Sequence, residues 1–177
     1  MQWFLREGDI LDVEADVLIC SANVFLNLSG GVGGAFGLRY GPAMQDALHT
    51  YLAMRGITHV ARGDIVAMQP CESGYRTVLH AVAVDGLYES SAEIVAQVIS
   101  DALGCAAVLG AKSVALTALA TGYGRLSMTD FANALLLVVD GSWPPLETIT
   151  IGLRSHDDCE ELKARVPRLS LTKPQHR

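Results

Sequence analysis

The sequence lacks several features that would place it in particular classes of protein. No apolar stretch approaches the roughly 20 uncharged residues that cross a bilayer, and no basic segment followed by an apolar run marks a secretory leader. The four cysteines are far apart and none has C-x-x-C spacing, which argues against a disulfide framework. The five histidines are equally scattered, so no metal site is predicted. We therefore expect a cytoplasmic protein that needs no membrane, metal or other cofactor.

Positive charge is also scarce. The 177 residues carry a formal net charge of −6, whereas a protein that grips a nucleic-acid backbone needs a basic contact face. The basic residues do not cluster, apart from a thin excess at 165–177. Nucleic acid is therefore not an expected partner, and an anionic ligand would be held mainly by backbone amides. The sequence contains no heptad pattern, so it predicts no particular oligomeric state.

The chain alternates short apolar runs with longer helical stretches. Half of its residues are hydrophobic, enough for a substantial core. Strands are predicted at 2–6, 17–21, 64–68, 77–82, 113–119 and 148–153. Helices are predicted at 32–54, 90–109, 129–139 and 157–166, the first continuing past Pro42. Several strands are apolar at nearly every position, so helices must cover both faces of the sheet.

This alternation predicts an α/β fold, a three-layer α/β/α sandwich with a mixed, largely parallel central sheet. We expect one domain at 1–166, followed by a flexible basic tail at 167–177. In such sheets ligands bind outside the carboxyl ends of the strands. The turns after Ser21, Leu119 and Leu153 are therefore the candidate sites.

The most glycine-rich segment follows the second predicted strand and opens a helix. It runs Ser29-Gly-Gly-Val-Gly-Gly-Ala-Phe-Gly37. A helix N-terminus presents free N–H groups to an anion, and glycines let the backbone approach a phosphate. Two nucleotide motifs do not fit, because no Gly-Lys-Ser/Thr follows and Phe36 stands where a third dinucleotide glycine would be. Close helix packing through Gly33 and Gly37 is an alternative interpretation.

A second glycine-containing loop, Ala120-Thr-Gly-Tyr-Gly-Arg125, also lies between an apolar strand and a helix. Two such loops predict a diphosphate held from both sides. Arg125 would add a cation there or would simply be solvated.

Three polar side chains each admit two interpretations. Asn23 has donors and an acceptor that suit ribose hydroxyls, or it shapes the turn. Asp9 accepts a hydrogen bond from an adenine amino group, or it caps the local backbone. His80 lies in an apolar strand, where a structural hydrogen bond is favoured over catalysis.

Together these segments resemble the macrodomain family. Gly8-Asp-Ile10 is similar to the family's G-D-I-T, and 16–23 resembles D-A-I-V-N-A-A-N. Residues 23–36 resemble N-x-x-L-x-x-G-G-G-V-x-G-A-I, the most specific of these motifs. Val78-Leu-His80 resembles V-I-H, and 119–124 resembles S-T-G-x-Y-G. The resemblance extends from about residue 2 to about residue 166.

The resemblance implies that ADP-ribose is the ligand or part of the substrate. Asp9 would bind the adenine amino group, the amide of Ile10 a ring nitrogen, and Asn23 the distal ribose. The amides of both loops would hold the phosphates, and Leu153 or Arg154 would cover the adenine face. The residues expected to bind are Asp9, Ile10, Ser21, Asn23, Ser29, Gly30, Gly31, Val32, Gly33, Thr121, Gly122, Tyr123, Gly124, Arg125, Leu153 and Arg154.

The family contains hydrolases and non-catalytic binders. Many members place an Asp just after the G-G-G-V segment, where this chain has Gly33; Ser21 and Ser29 are further departures. The resemblance also implies that some relatives without that Asp still turn over, using the substrate's own phosphate. We expect modest hydrolysis of ADP-ribosyl conjugates, of the mono-ADP-ribosylhydrolase or ADP-ribose 1″-phosphate phosphatase type, with Asn23 catalytic. The alternatives are a non-catalytic reader of ADP-ribose or ADP-ribosylated targets and an unrelated nucleotide-binding protein.

Overall fold

Seven strands form one mixed sheet in the computed structural model, which describes residues 1–172. In chain order they are β1 (Gln2–Glu7), β2 (Val17–Ala22), β3 (Ile65–Met68), β4 (Thr77–Val82), β5 (Ser113–Thr117), β6 (Thr148–Leu153) and β7 (Ser170–Leu171). Their order across the sheet is β3-β4-β2-β5-β6-β1-β7. Every neighbouring pair is parallel except β3 with β4. The predicted fold class is confirmed.

Five helices cover the two faces of this sheet. They are α1 (Gly31–Tyr40), α2 (Ala43–Met54), α3 (Ala92–Val108), α4 (Met128–Val138) and α5 (His156–Arg165). Side chains alternate along β2, so that Leu18 and Cys20 join the core under α1 and α2, and Val17 and Ile19 join the core under the other three helices. Among the described residues, no helix is long and apolar enough to cross a membrane.

The prediction of a single helix over 32–54 is wrong. The chain leaves α1 at Gly41, whose φ of 79° is in the left-handed region, and α2 begins after Pro42. Proline has no N–H for a helical hydrogen bond, and it disfavours helical geometry in the residue before it. The break lets α1 carry the glycine-rich segment while α2 packs Met44, Leu48 and Leu52 into the core.

The sheet extends past the predicted domain boundary at residue 166. Ser170–Leu171 pairs with β1, and the N–H of Thr172 donates to the carbonyl oxygen of Leu5 at 3.0 Å. Leu169 is buried, and the Lys163 ammonium donates to its carbonyl oxygen. Residues 167–172 therefore pack against the domain. The rest of the predicted flexible tail, 173–177, lies outside the described residues.

The parallel strands bring five loops to one edge of the sheet. β1, β2, β4, β5 and β6 all run in the same direction, so their carboxyl ends lie together. This is the edge where open α/β sheets bind ligands.

Candidate functional site

A cavity lies at this edge and receives residues from all five loops. We call it the main cavity. Every residue predicted to bind lines it except Arg125. The Arg125 guanidinium is instead 3.8 Å from Glu89, in an exposed ion pair. An exposed pair of this kind contributes little to stability.

The first wall of the main cavity is the start of α1. Gly30 is the residue before the helix, and Gly31 has a φ of 54°. This left-handed conformation suits glycine because it has no Cβ. The N–H groups of residues 31–33 have no acceptor within the helix, as at any helix start. Residues 29–33 all line the cavity, so the start of α1 offers an anion site.

The second wall is the loop after β5, which folds tightly upon itself. A Cβ at position 124 would overlap the carbonyl oxygen of Ala120, so only glycine fits at this position. The same carbonyl accepts the N–H of Leu126 at 3.3 Å, and Ala120 itself has a φ of 62°. The Thr121 hydroxyl donates to the carbonyl of Ala118 at 3.0 Å. The loop is therefore held in shape by contacts within the protein.

Tyr123 connects the two walls. A Cβ at Gly30 would overlap the Tyr123 ring, so this ring lies directly against the first loop. The ring centroid of Tyr88 is 6.3 Å from that of Tyr123, in a tilted arrangement. Both aromatic rings line the main cavity.

Tyr88 is a site residue that the sequence reasoning missed. It follows β4, which is parallel to β2 and ends at the same edge. The sequence predicts binding residues in the turns after β1, β2, β5 and β6 but none after β4. The rule that placed those turns also applies to the loop after β4, so the signal was present in the sequence.

Ser21, a departure from the family pattern, braces the second loop. Its N–H donates to the Thr117 hydroxyl at 3.0 Å, and its own hydroxyl accepts the N–H of Ala120 at 3.4 Å. The Thr117 hydroxyl donates in turn to the Ile19 carbonyl at 3.2 Å. Ser21 thereby links β2 to the turn that follows β5.

Asn23 shapes its own turn. Its side-chain oxygen accepts the N–H of Phe25 at 3.0 Å and that of Asn27 at 3.3 Å. Its amide nitrogen donates to the Asn27 carbonyl at 2.9 Å. An asparagine amide has two N–H donors, so one remains for a ligand. Of the two interpretations, the turn-shaping one is observed, and it leaves a donor in the cavity wall.

Asp9 also lines the main cavity, and it caps the turn that follows β1. One carboxylate oxygen accepts the N–H of Leu11 at 3.0 Å. The other is 2.9 Å from the Arg154 guanidinium and 3.3 Å from that of Arg39. The buried Tyr75 hydroxyl supports this turn by donating to the carbonyl of Ile10 at 3.1 Å. Asp9 is thus fixed by two cations, and Arg39 is a second residue that the sequence reasoning missed.

Residues 19–135 match the model of the Macro domain family. This chain belongs to the macrodomain family. A macro domain-containing protein of Streptomyces nogalater is 36% identical over 130 residues, which are 73% of this chain and 72% of that protein. An O-acetyl-ADP-ribose deacetylase of an Enterobacter strain is 34% identical over 122 residues, 66% of each chain.

The fold also matches solved macrodomains. A variant of the Oceanobacillus iheyensis macrodomain, solved with ADPR, superposes with a TM-score of 0.81 at 20% identity. The match covers 91% of this chain and 89% of that one. At this level of identity the likeness concerns the fold.

The macrodomain's departure at Gly33 has a structural counterpart. A Cβ at Gly33 would lie 3.1 Å from Leu28 Cδ2 and 3.3 Å from Leu28 Cα. Those distances are tighter than ordinary van der Waals contact, so any side chain here needs Leu28 to move slightly. Glycine at position 33 therefore leaves the space that Leu28, in the preceding loop, occupies.

His80 lies away from the main cavity of the macrodomain. It is buried in β4, with Nε2 3.4 Å from the Met44 sulfur, and Nδ1 has no partner in the described residues. Burial lowers the pKa of His80 from 6.5 to about 4, so the ring is neutral at pH 7. The expected structural hydrogen bond is thus a weak contact with sulfur.

Metal ligation finds no support in the part of the chain that the structure describes. Within residues 1–172, no group of three or more His, Cys, Asp or Glu side chains is placed to hold a metal ion.

Proposed function

We propose that this macrodomain binds ADP-ribose in the main cavity. The observation that carries the proposal is the convergence of two preformed loops, joined where the Tyr123 ring lies against Gly30. Loops of this kind hold a diphosphate through backbone amides. This matches a chain whose net charge of −6 provides no broad basic surface.

We assign the adenine and the distal ribose of the ligand to different parts of the main cavity. At one end Asp9, Ile10 and Arg154 provide a carboxylate, a backbone amide and a planar cation for a purine. At the other end Asn23 and the two tyrosine rings surround the space for the distal ribose. The matching macrodomain solved with ADPR supports the choice of ligand.

The adenine end needs one rearrangement for the ligand to bind. Arg154 contacts the same Asp9 oxygen as Arg39, and 65% of its side chain is exposed. In our proposal Arg154 leaves this oxygen when the purine enters and stacks on the base through its guanidinium. Arg39 keeps Asp9 in position throughout.

We further propose slow hydrolysis of ADP-ribosyl conjugates at the distal end. A bound water attacks the distal-ribose carbon that carries the conjugated group, and the bond from this carbon to the group breaks, so that the group leaves as a carboxylate or a phosphate. A substrate phosphate takes the proton of the water, because Gly33 provides no carboxylate. The remaining N–H of Asn23 orients the distal ribose. The relative named O-acetyl-ADP-ribose deacetylase supports a hydrolytic role. Loss of a general base commonly costs about 10²–10⁴ in rate, so turnover should be modest.

Replacing Asn23 with Ala and with Asp tests this role. Asp keeps the oxygen that accepts the turn N–H groups but removes the amide donor. We expect both variants to lower kcat by about 10²-fold, with a smaller effect on the dissociation constant for ADP-ribose. Turnover is measured with O-acetyl-ADP-ribose and with a mono-ADP-ribosylated peptide.

Asn23→Asp keeps the oxygen that holds the turn, whereas Asn23→Ala removes it. Comparing the two variants therefore separates loss of the amide donor from collapse of the turn. Unchanged turnover in both would contradict the proposed role of Asn23.

A non-catalytic reader is the second candidate, and it too rests on an observation. The Asn23 side chain is largely committed to its own turn, and no acid stands at position 33. For a reader, the wild-type protein would bind ADP-ribose but release no product from ester, phosphate or peptide-linked substrates.

A further inference from the structure

An open groove runs along the outside of α1 and joins the main cavity. We call it the α1 groove. Leu38, Arg39 and two small residues of α1 line its outer part. It shares Asp9, Arg154 and residues 29–31 with the main cavity. The two spaces are therefore contiguous, and these shared residues form the seam between them.

The chemistry of the seam indicates which part of the ligand lies there. If ADP-ribose binds as proposed, Asp9 and Arg154 hold the adenine, and residues 29–31 hold the diphosphate. The adenosine ribose is covalently placed between the adenine and the diphosphate. This ribose must then cross the seam, where its 2′ and 3′ oxygens have access to the α1 groove.

Two guanidiniums and one carboxylate line the groove, those of Arg39, Arg154 and Asp9. Asp12 does not line the groove, but it pairs with Arg39 at 2.8 Å, and both side chains line a neighbouring cavity. The groove is therefore a place where two guanidiniums lie close together, with Arg39 shared between two carboxylates.

Both guanidiniums also keep donors for a further acceptor. An arginine has five N–H donors. Arg154 uses one of them on Asp9, and Arg39 uses three, on Asp9, Asp12 and the Tyr40 side chain. Both side chains are partly exposed, at 65% and 35%. Two guanidiniums close to one carboxylate oxygen form an arrangement that also suits a phosphate.

We propose that the α1 groove binds a phosphate monoester on the 2′ or 3′ oxygen of the adenosine ribose. This inference rests on the proposed binding of ADP-ribose in the main cavity. The macrodomain would then prefer phosphorylated ADP-ribose to ADP-ribose itself. The added phosphate accepts hydrogen bonds from the remaining N–H groups of Arg39. It also accepts from Arg154, whose contact with Asp9 is lost when the purine enters.

The test is calorimetric titration with ADP-ribose and with its 2′- and 3′-phosphates at one ionic strength. We expect at least one of the two phosphates to bind about fivefold or more tightly than ADP-ribose. Arg39→Gln should reduce this ratio of dissociation constants to about one. The ratio is the readout because the loss of Arg39 also affects Asp9 and thus binding of the base.

Arg168→Gln is the matched control. Arg168 is an exposed arginine that pairs with Asp140 at 2.8 Å, so its replacement removes the same charge from a site that is not part of the groove. We expect this variant to keep the wild-type ratio.

The outcomes separate the two proposals. If ADP-ribose binds but neither phosphate binds more tightly, or if Arg39→Gln keeps the preference, the groove assignment is overturned and the main cavity is not. If ADP-ribose itself does not bind, the proposed function fails.

Discussion

Gly33 stands where the family motif given above often has an Asp. It lines the main cavity but has no side chain to hold a water or take its proton. The contact of a Cβ with Leu28 at 3.1 Å shows that a larger residue is accommodated only if Leu28 shifts. In the proposed hydrolysis, a substitution at position 33 would therefore affect both turnover and loop packing.

Gly33→Asp should raise turnover and lower stability. A carboxylate supplies a general base, for which we expect an increase in kcat of about 10²-fold at saturating substrate. Crowding against Leu28 should cost about 1–3 kcal/mol in the free energy of unfolding. The measurements are steady-state hydrolysis of O-acetyl-ADP-ribose and denaturant unfolding.

Gly33→Asn is the matched control for that substitution, because it has nearly the same size but no base. Equal kcat values for the Asp and Asn variants would show that a missing carboxylate does not limit turnover.

Other single residues show where sequence patterns are ambiguous. Asp9 and Asn23 were each predicted either to bind a ligand or to cap the backbone, and both make the backbone contacts. Both also line the main cavity. The two roles use the same donors and acceptors, so residue type alone could not separate them. Arg39 could not be assigned from sequence because its partner Asp9 is 30 residues away.

Among the strands, β4 carries the buried His80, whose protonation should make the stability of the protein depend on pH. His80 is neutral in the folded protein because burial lowers its pKa to about 4. The unfolded chain takes up a proton near pH 6.5, the ordinary value. Since the folded pKa is lowered, the unfolded state binds more protons as the pH falls, and stability present above pH 6.5 is lost between 6.5 and 4.

We expect His80 to reduce the free energy of unfolding by about 2 kcal/mol between pH 7 and pH 5. The measurement is urea unfolding of the wild type and of His80→Leu at both pH values. His80→Leu lacks this titration. From pH 7 to pH 5, the wild type should therefore lose about 2 kcal/mol of unfolding free energy relative to the variant. A difference that does not change with pH would contradict a neutral buried His80.

The secondary structure was largely predictable because the signals are local. Apolar runs located the first six strands to within two residues at either end. The break between α1 and α2 was missed because the helical pattern was followed through Gly41 and Pro42. β7 was missed because two residues give no periodic signal. Its pairing depends on β1, far away in the chain.

In the molecule as a whole, the site follows from the topology of the sheet. Parallel strands bring five loops to one edge, and nearly all residues predicted to bind line a single cavity there. Sequence motifs located the two glycine loops. They could not show that Tyr123 lies against Gly30, that Tyr88 adjoins it, or that the α1 groove opens beside Asp9. These are contacts between distant segments that only the folded chain creates.

Calorimetric titration with ADP-ribose, with AMP, ATP and NAD as controls, directly tests whether the main cavity binds this ligand. We predict selective binding of ADP-ribose that is lost in Gly31→Glu, because a carboxylate would enter the phosphate site at a position with a φ of 54°. Asp9→Ala should weaken binding by about tenfold or more through loss of the base contact. If the wild type does not bind ADP-ribose, or if Gly31→Glu binds it as tightly as the wild type, binding in the main cavity is contradicted.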